Sequence, residues 1–147
     1  MSTKDKLNEN LKQAMKARDN LRLSVVRMIL AAVRNREIER RSELDDQGIS
    51  ELLSTLAKQR RESVRLYRDG NRPDLVAKEE AELAVLEEFL PEQLTAEELS
   101  GMIERVIAET GAEGTKDIGR VMKALSPLIA GRADGKSASE MAREKLS

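Results

Sequence analysis

Residues 79–94 read Glu79-Glu80-Ala81-Glu82-Leu83-Ala84-Val85-Leu86-Glu87-Glu88-Phe89-Leu90-Pro91-Glu92-Gln93-Leu94, and this stretch both sets the fold class and divides the chain. With Leu75 upstream, Ala81, Val85, Phe89 and Leu90 mark the apolar stripe of an amphipathic helix from Asp74 to Glu88. The remaining positions are dense in acid, and with Glu92, Glu97 and Glu98 they make 79–98 the negative segment of the chain. Pro91 has no N–H to continue a helix. It is the candidate boundary between an N-terminal helical domain, 1–90, and a C-terminal module, 91–147.

Working back from this stretch, the same helical spacing recurs. Leu7, Leu11, Ala14 and Met15 share a face of a first helix that Ser2 or Thr3 can cap. Asp19-Asn20 is a break. Leu21, Val25, Met28, Ile29 and Ala32 mark a longer second helix running towards Ile38, and Glu43 to Gly48 reads as a turn. A third helix from about Ser50 carries Leu52, Leu53, Leu56, Val64 and Tyr67, and stops at Gly70 before Pro73. The second and third helices are rich in Arg: Arg18, Arg22, Arg27, Arg34, Arg36, Arg40 and Arg41, then Arg60, Arg61, Arg65, Arg68 and Arg72. These basic helices could bind nucleic acid through phosphates, but at near-zero net charge the favoured expectation is that they lie against the acidic fourth, with the Arg side chains paired to its glutamates and i,i+4 pairs such as Lys78–Glu82 on its own face.

Beyond Pro91, Thr95-Ala96-Glu97-Glu98 has capping-box spacing. Leu99, Met102, Ile103, Val106 and Ile107 follow as an apolar stripe that Gly111 ends. Thr115 or Asp117 can cap a next helix with Ile118, Val121, Met122 and Leu125 inward and Pro127 disturbing its last turn. Gly131 to Gly135 is a tight connection, and Ser137-Ala138-Ser139-Glu140 reads as another capping box before Met141 and Leu146. The expectation is an all-α protein: about four helices, then a three-helix module. No sustained apolar–polar alternation competes as strand.

Composition narrows the chemistry. His and Cys are absent from the 147 residues, which removes thiol nucleophiles, His-based triads and the usual zinc sites. Gly111-Ala112-Glu113-Gly114-Thr115-Lys116 lacks Walker spacing and a preceding strand, so it is not a phosphate loop. The glutamates at 79–88 lack the His partners of di-iron bundles and read as a solvated helix face. No catalytic, metal or cofactor residue is therefore expected. The longest apolar run, Met28–Val33, is far short of the ~18–20 residues that span a bilayer, and no apolar run follows Met1. That pattern leads to the expectation of a cytoplasmic protein without membrane contact.

Net charge is −1, so any nucleic-acid site must be a local patch. Lys116, Arg120 and Lys123, spaced by four and three, share a helix face, and Arg132 and Lys136 flank the glycine-rich connection. The aromatic content is Tyr67 and Phe89 alone. With no stacking platform, these five cations point to recognition of shape and phosphate in structured RNA rather than of bases.

At these residues the chain resembles the GatB/YqeY family. The resemblance is carried by Lys58-Gln59-Arg60-Arg61-Glu62-Ser63, Gly70-Asn71-Arg72-Pro73-Asp74-Leu75, the whole of 79–94, Thr110-Gly111-Ala112, Lys116 to Met122, and Gly131-Arg132-Ala133-Asp134-Gly135-Lys136. It runs nearly end to end, with Leu-Pro-Glu-Gln-Leu and Gly-Arg-Ala-Asp-Gly-Lys its most specific strings. It implies an N-terminal helical domain, a C-terminal three-helix module, and kinship with the tail of the glutamyl/aspartyl-tRNA amidotransferase B subunit, where the tail contacts the tRNA elbow and the chemistry lies in other domains. The leading expectation is a non-catalytic auxiliary module that binds tRNA. Alternatives are a protein-interaction module that docks a tRNA synthetase or amidotransferase, and, last, a carbon–nitrogen ligase component with glutamine as amido donor.

Overall fold

Helix starts in this protein are set by short polar side chains that take up otherwise unpaired backbone N–H groups. The computed structural model covers residues 1–147 and consists of seven α-helices, a single 3-10 turn and no strand. Helix α1 (Thr3–Ala17) starts at Ser2, whose hydroxyl accepts the Asp5 N–H at 3.1 Å while Asp5 reciprocates at 3.3 Å. Helix α2 (Asn20–Arg40) starts at Asp19, bonded to the Arg22 N–H. Between them Arg18 holds φ +55°, so one left-handed residue makes the break expected at Asp19-Asn20.

Helix α3 (Asp46–Asp69) begins four residues earlier than its apolar stripe suggests. The Asp45 carboxylate accepts the Gly48 N–H at 2.8 Å, so half of the expected Glu43–Gly48 turn is the first helical turn. Helix α4 (Pro73–Glu87) uses Pro73 at its first position, where the missing N–H costs nothing.

The chain divides into two compact units, Met1–Leu90 and Pro91–Ser147. In the first, Leu7, Val25, Val26, Ile29, Val33, Leu44, Ile49, Leu52, Leu53, Ala57, Val85 and Leu86 form one buried cluster, with Phe89 and Leu90 packed on it. Glu37 ties three parts of this unit together. Its carboxylate takes the Lys4 ammonium at 2.6 Å and the Leu44 N–H at 2.8 Å. The Lys4 hydrogen bond, followed by that of Leu44, holds the Glu37 carboxyl below the usual glutamate range.

The second unit contains α5 (Ala96–Thr110), a 3-10 turn (Thr115–Asp117), α6 (Ile118–Ile129) and α7 (Gly135–Leu146). Thr95 and Glu98 form the expected capping box of α5. Helix α7 departs from expectation: its cap is Asp134, not Ser137. One Asp134 oxygen accepts both the Ser137 N–H at 3.1 Å and the Ser137 hydroxyl at 3.0 Å. Asp is as good a cap as Ser, and coming first in the chain it starts the helix at Gly135. Leu99, Ile103, Val106, Val121, Leu125, Ile129, Ala138, Ala142 and Leu146 are the core.

That second core is thin, and Leu125 is fully buried at its centre. Leu125→Ala should cost about 2–5 kcal/mol by removing buried methyl groups and leaving a cavity, measured by urea denaturation of the whole chain. Glu37→Gln should lower the melting temperature at neutral pH. Because the folded-state pKa of Glu37 lies below its unfolded value, its contribution is complete above the ordinary carboxylate range and is lost as pH falls through the depressed value. The difference between the variant and the parent should therefore close on acidification, as followed by melts across that range.

Candidate functional site

Helix α6 has the sequence Ile118-Gly119-Arg120-Val121-Met122-Lys123-Ala124-Leu125-Ser126-Pro127-Leu128-Ile129 and contains no acidic residue. At 100° per residue, Val121, Leu125 and Ile129 fall on one side and are buried. Arg120 and Lys123 fall on the opposite side and are exposed, and Lys116 is exposed in the 3-10 turn that leads into the helix. The fold thus leaves these three cations at the surface, two of them on a helix held in place by its own core face. Pro127 sits within the helix on the same outer face.

The other two expected site residues lie elsewhere. Arg132 and Lys136 belong to the turn after α6 and the first turn of α7. The twelve residues of α6, about 18 Å of helix, separate them from Lys116. The five cations therefore do not gather in one cluster: three stand at the start and along α6, and two follow its end.

Arg132 also has structural duties. Its Nε donates to the Glu92 carbonyl at 3.1 Å, its own carbonyl accepts the Leu94 N–H at 2.8 Å, and the Gln93 amide donates to the Gly131 carbonyl at 2.6 Å. Gly131 takes φ +72°, a left-handed conformation that suits glycine. The two most specific strings in the sequence, Leu-Pro-Glu-Gln-Leu and Gly-Arg-Ala-Asp-Gly-Lys, are thus bonded to each other. Gln93 has no part in the sequence-based site. Its only signal was membership in the first of those strings.

Asp117 is the anion at the edge of the α6 row. It lies 3.3 Å from Arg120 and accepts the Glu113 N–H at 3.0 Å. That backbone bond, then the charges of Arg120 and Lys116, holds its carboxyl below the usual range. Asp117 stays ionised and steadies the loop before α6, so the cation row is fixed at its start.

In the first unit the arginines are sorted by helix. Arg60 of α3 is half-buried between Glu79, at 2.9 Å, and Glu82. Arg61 reaches Glu87 and Arg68 reaches Glu80 at 2.8 Å. From α2, Arg22 reaches Glu88 at 2.7 Å. The expected pairing of basic helices with α4 holds for these residues. The Lys78–Glu82 pair does not form, because Glu82 turns to Arg60. No group of three or more acidic side chains is gathered in a way that could hold a metal ion, and no helix is long and apolar enough to cross a membrane. An open depression of about 570 Å³ on α7, lined by Ser137, Glu140, Met141, Arg143, Glu144 and Ser147, is shallow and lacks the converging polar groups of a small-molecule pocket.

A family model described as Yqey-like protein matches residues 4–146. The chain is similar to three fungal proteins that share the name "Altered inheritance of mitochondria protein 41, mitochondrial". It is 36% identical to that of Lachancea thermotolerans over 93 residues, 63% of this chain and 50% of the relative. It is 36% identical to that of Vanderwaltozyma polyspora over 85 residues, 57% of this chain and 46% of the relative. With the Eremothecium gossypii protein the identity is 33% over 106 residues, 70% of this chain and 58% of the relative. The chain thus spans about half the length of these curated relatives. Their names place them in mitochondria, which overturns the cytoplasmic setting expected from the sequence. That expectation rested on the lack of an apolar run after Met1, a signal that bears on secretion. Import segments are amphipathic and Arg-rich instead, so the missing run did not discriminate.

The sorting of charge gives a direct test. Arg60→Ala would leave Glu79 and Glu82 facing each other half-buried, and should cost about 1–3 kcal/mol, between the values for exposed and buried pairs. Arg27→Ala, on an exposed site with no partner, should stay within about 0.5 kcal/mol. Chemical denaturation of the two variants side by side measures the difference.

Proposed function

This chain belongs to the Yqey-like protein family, and from that premise we propose that it is a non-catalytic accessory protein that binds tRNA through the outer face of α6. The observation that carries the reading is the placement of Arg120 and Lys123 on the exposed side of the acid-free helix α6, opposite its buried side, with Lys116 exposed in the turn that leads into it. Cations held on a rigid helix meet phosphates without first losing much backbone freedom. Lys136 and the free guanidinium nitrogens of Arg132 extend the row past the end of α6. With no aromatic side chain in this unit, contacts are to backbone and shape rather than to bases. The resemblance to the amidotransferase tail favours tRNA over other polyanions. The chain has neither His nor Cys to serve as base or thiol nucleophile, and on this reading amide-forming chemistry belongs to a partner.

The test is a titration of purified protein with mixed cellular tRNA at several salt concentrations, with duplex DNA as control. The parent protein should bind tRNA saturably and more tightly than DNA. Lys116→Ala, Arg120→Ala and Lys123→Ala combined should weaken binding roughly tenfold or more and flatten the log–log salt dependence by about 2–3, the loss expected for three phosphate contacts. Unchanged affinity would remove this face from the reading. Nuclease-insensitive recovery of a synthetase or amidotransferase, without tRNA binding, would favour a docking role instead.

A further inference from the structure

The first unit carries a second cationic surface that α6 leaves unexplained. On α2, Arg27 and Arg34 stand seven residues apart, and Arg41 follows as the left-handed residue that ends the helix. A seven-residue step drifts only ~20° around a straight helix, so Arg27 and Arg34 lie in one line, about 10.5 Å apart, with Arg41 at the helix end. All three are exposed, and their side chains have no hydrogen bond or ion pair. The opposite side of the helix, Val25, Val26, Ile29 and Val33, is buried in the core.

Nothing nearby on the helix neutralises this line. Between Asn20 and Arg36 α2 has no acid. Glu37 is taken by Lys4 and the Leu44 N–H, and Glu39 faces Arg36 at 3.9 Å. The contrast with α3 is sharp: Arg60, Arg61 and Arg68 are taken by glutamates of α4, and Arg65 by Glu62 and Asp69 of α3 itself.

We propose that the outer face of α2 is a binding surface for the phosphate backbone of an RNA stem. Charge complementarity selects the occupant. A guanidinium presents a fork of donors that matches phosphate oxygens, and two such forks held in line on a helix, with a third at its end, match successive phosphates of a backbone. An apolar protein partner would need anchors, and beside these arginines lie Ser24, Ala31 and Asn35, while the large exposed apolar side chains of α2, Leu21 and Ile38, stand near opposite ends of the helix. A bilayer would need the apolar side of the helix, which the core already holds. The phosphate chemistry stands on the α2 geometry alone. The choice of RNA over DNA rests on the reading of α6.

Fluorescence anisotropy with a labelled RNA duplex of about two helical turns tests this on the full chain. The variant is Arg27→Gln, Arg34→Gln and Arg41→Asn, Asn being chosen because position 41 holds φ +56° and Asn tolerates it. A control, Arg61→Gln, Arg65→Gln and Arg68→Gln, removes the same charge from arginines already paired on α3. The α2 variant should lose roughly tenfold or more in affinity, with a salt dependence shallower by about 2–3, while the control stays within about threefold. An α2 variant that binds as the parent does, or a control that loses as much, overturns the proposal. Equal binding of a DNA duplex with the same dependence on α2 overturns the assignment to RNA. Running the α6 variant in the same assay separates the two surfaces: loss with the α2 variant and none with the α6 variant upholds this inference and removes the α6 reading. The reverse pattern removes this inference alone.

Discussion

Arg60, held half-buried between Glu79 and Glu82, is the contact from which the charge distribution of the first unit follows. A guanidinium at a helix–helix seam satisfies two carboxylates at once and keeps both from facing each other in a region of reduced dielectric. Two further glutamates of α4 are turned towards α3, where Arg61 and Arg68 meet Glu87 and Glu80. Helix α2 receives one such partner, Glu88 for Arg22. A chain of near-zero net charge can therefore carry unneutralised cations on and at the end of α2, because neutrality is reached in one place and not spread evenly.

Much of the fold was legible before any coordinate. Val85 and Phe89, Ile103 and Val106, or Val121 and Leu125 announce helices by spacing alone, and Thr95 with Glu98 marks a start by reciprocal bonds that involve only neighbours in sequence. What could not be read were choices between rivals. Asp134 and Ser137 are both competent caps, and position in the turn decides between them. Glu82 has Lys78 one turn away, yet it turns to Arg60, because packing of α3 against α4 brings in a bidentate cation at a half-buried seam. Which arginines stay free is likewise a fact of tertiary packing: the sequence shows α2 and α3 as equally basic, and nothing local says that α4 will satisfy mainly one of them. The five cations could be named from the sequence but not their spacing, since the length of α6 sets Lys116 and Arg132 apart. The compartment was misread because a test for secretion was taken to speak of organelles.

The second unit rests on a different device. Its core is small, and the irregular segment Glu92–Leu94 is held by three hydrogen bonds to Gly131 and Arg132. These bonds join residues some forty positions apart and satisfy backbone groups that no helix covers. They also fix the turn from which α7 departs, and so the place of Lys136 at the end of the α6 row.

That arrangement bears on how the protein can be dissected. An eye trained on helix limits would start a C-terminal fragment at Thr95, the cap of α5. Such a fragment would leave the Arg132 carbonyl without the Leu94 amide and the Gly131 carbonyl without the Gln93 side chain, and would free the Arg132 guanidinium from Glu92. The left-handed turn at Gly131 would lose its outside support, and a core with little to spare would absorb the loss. The natural edge of this unit is written in residues that have no regular secondary structure at all.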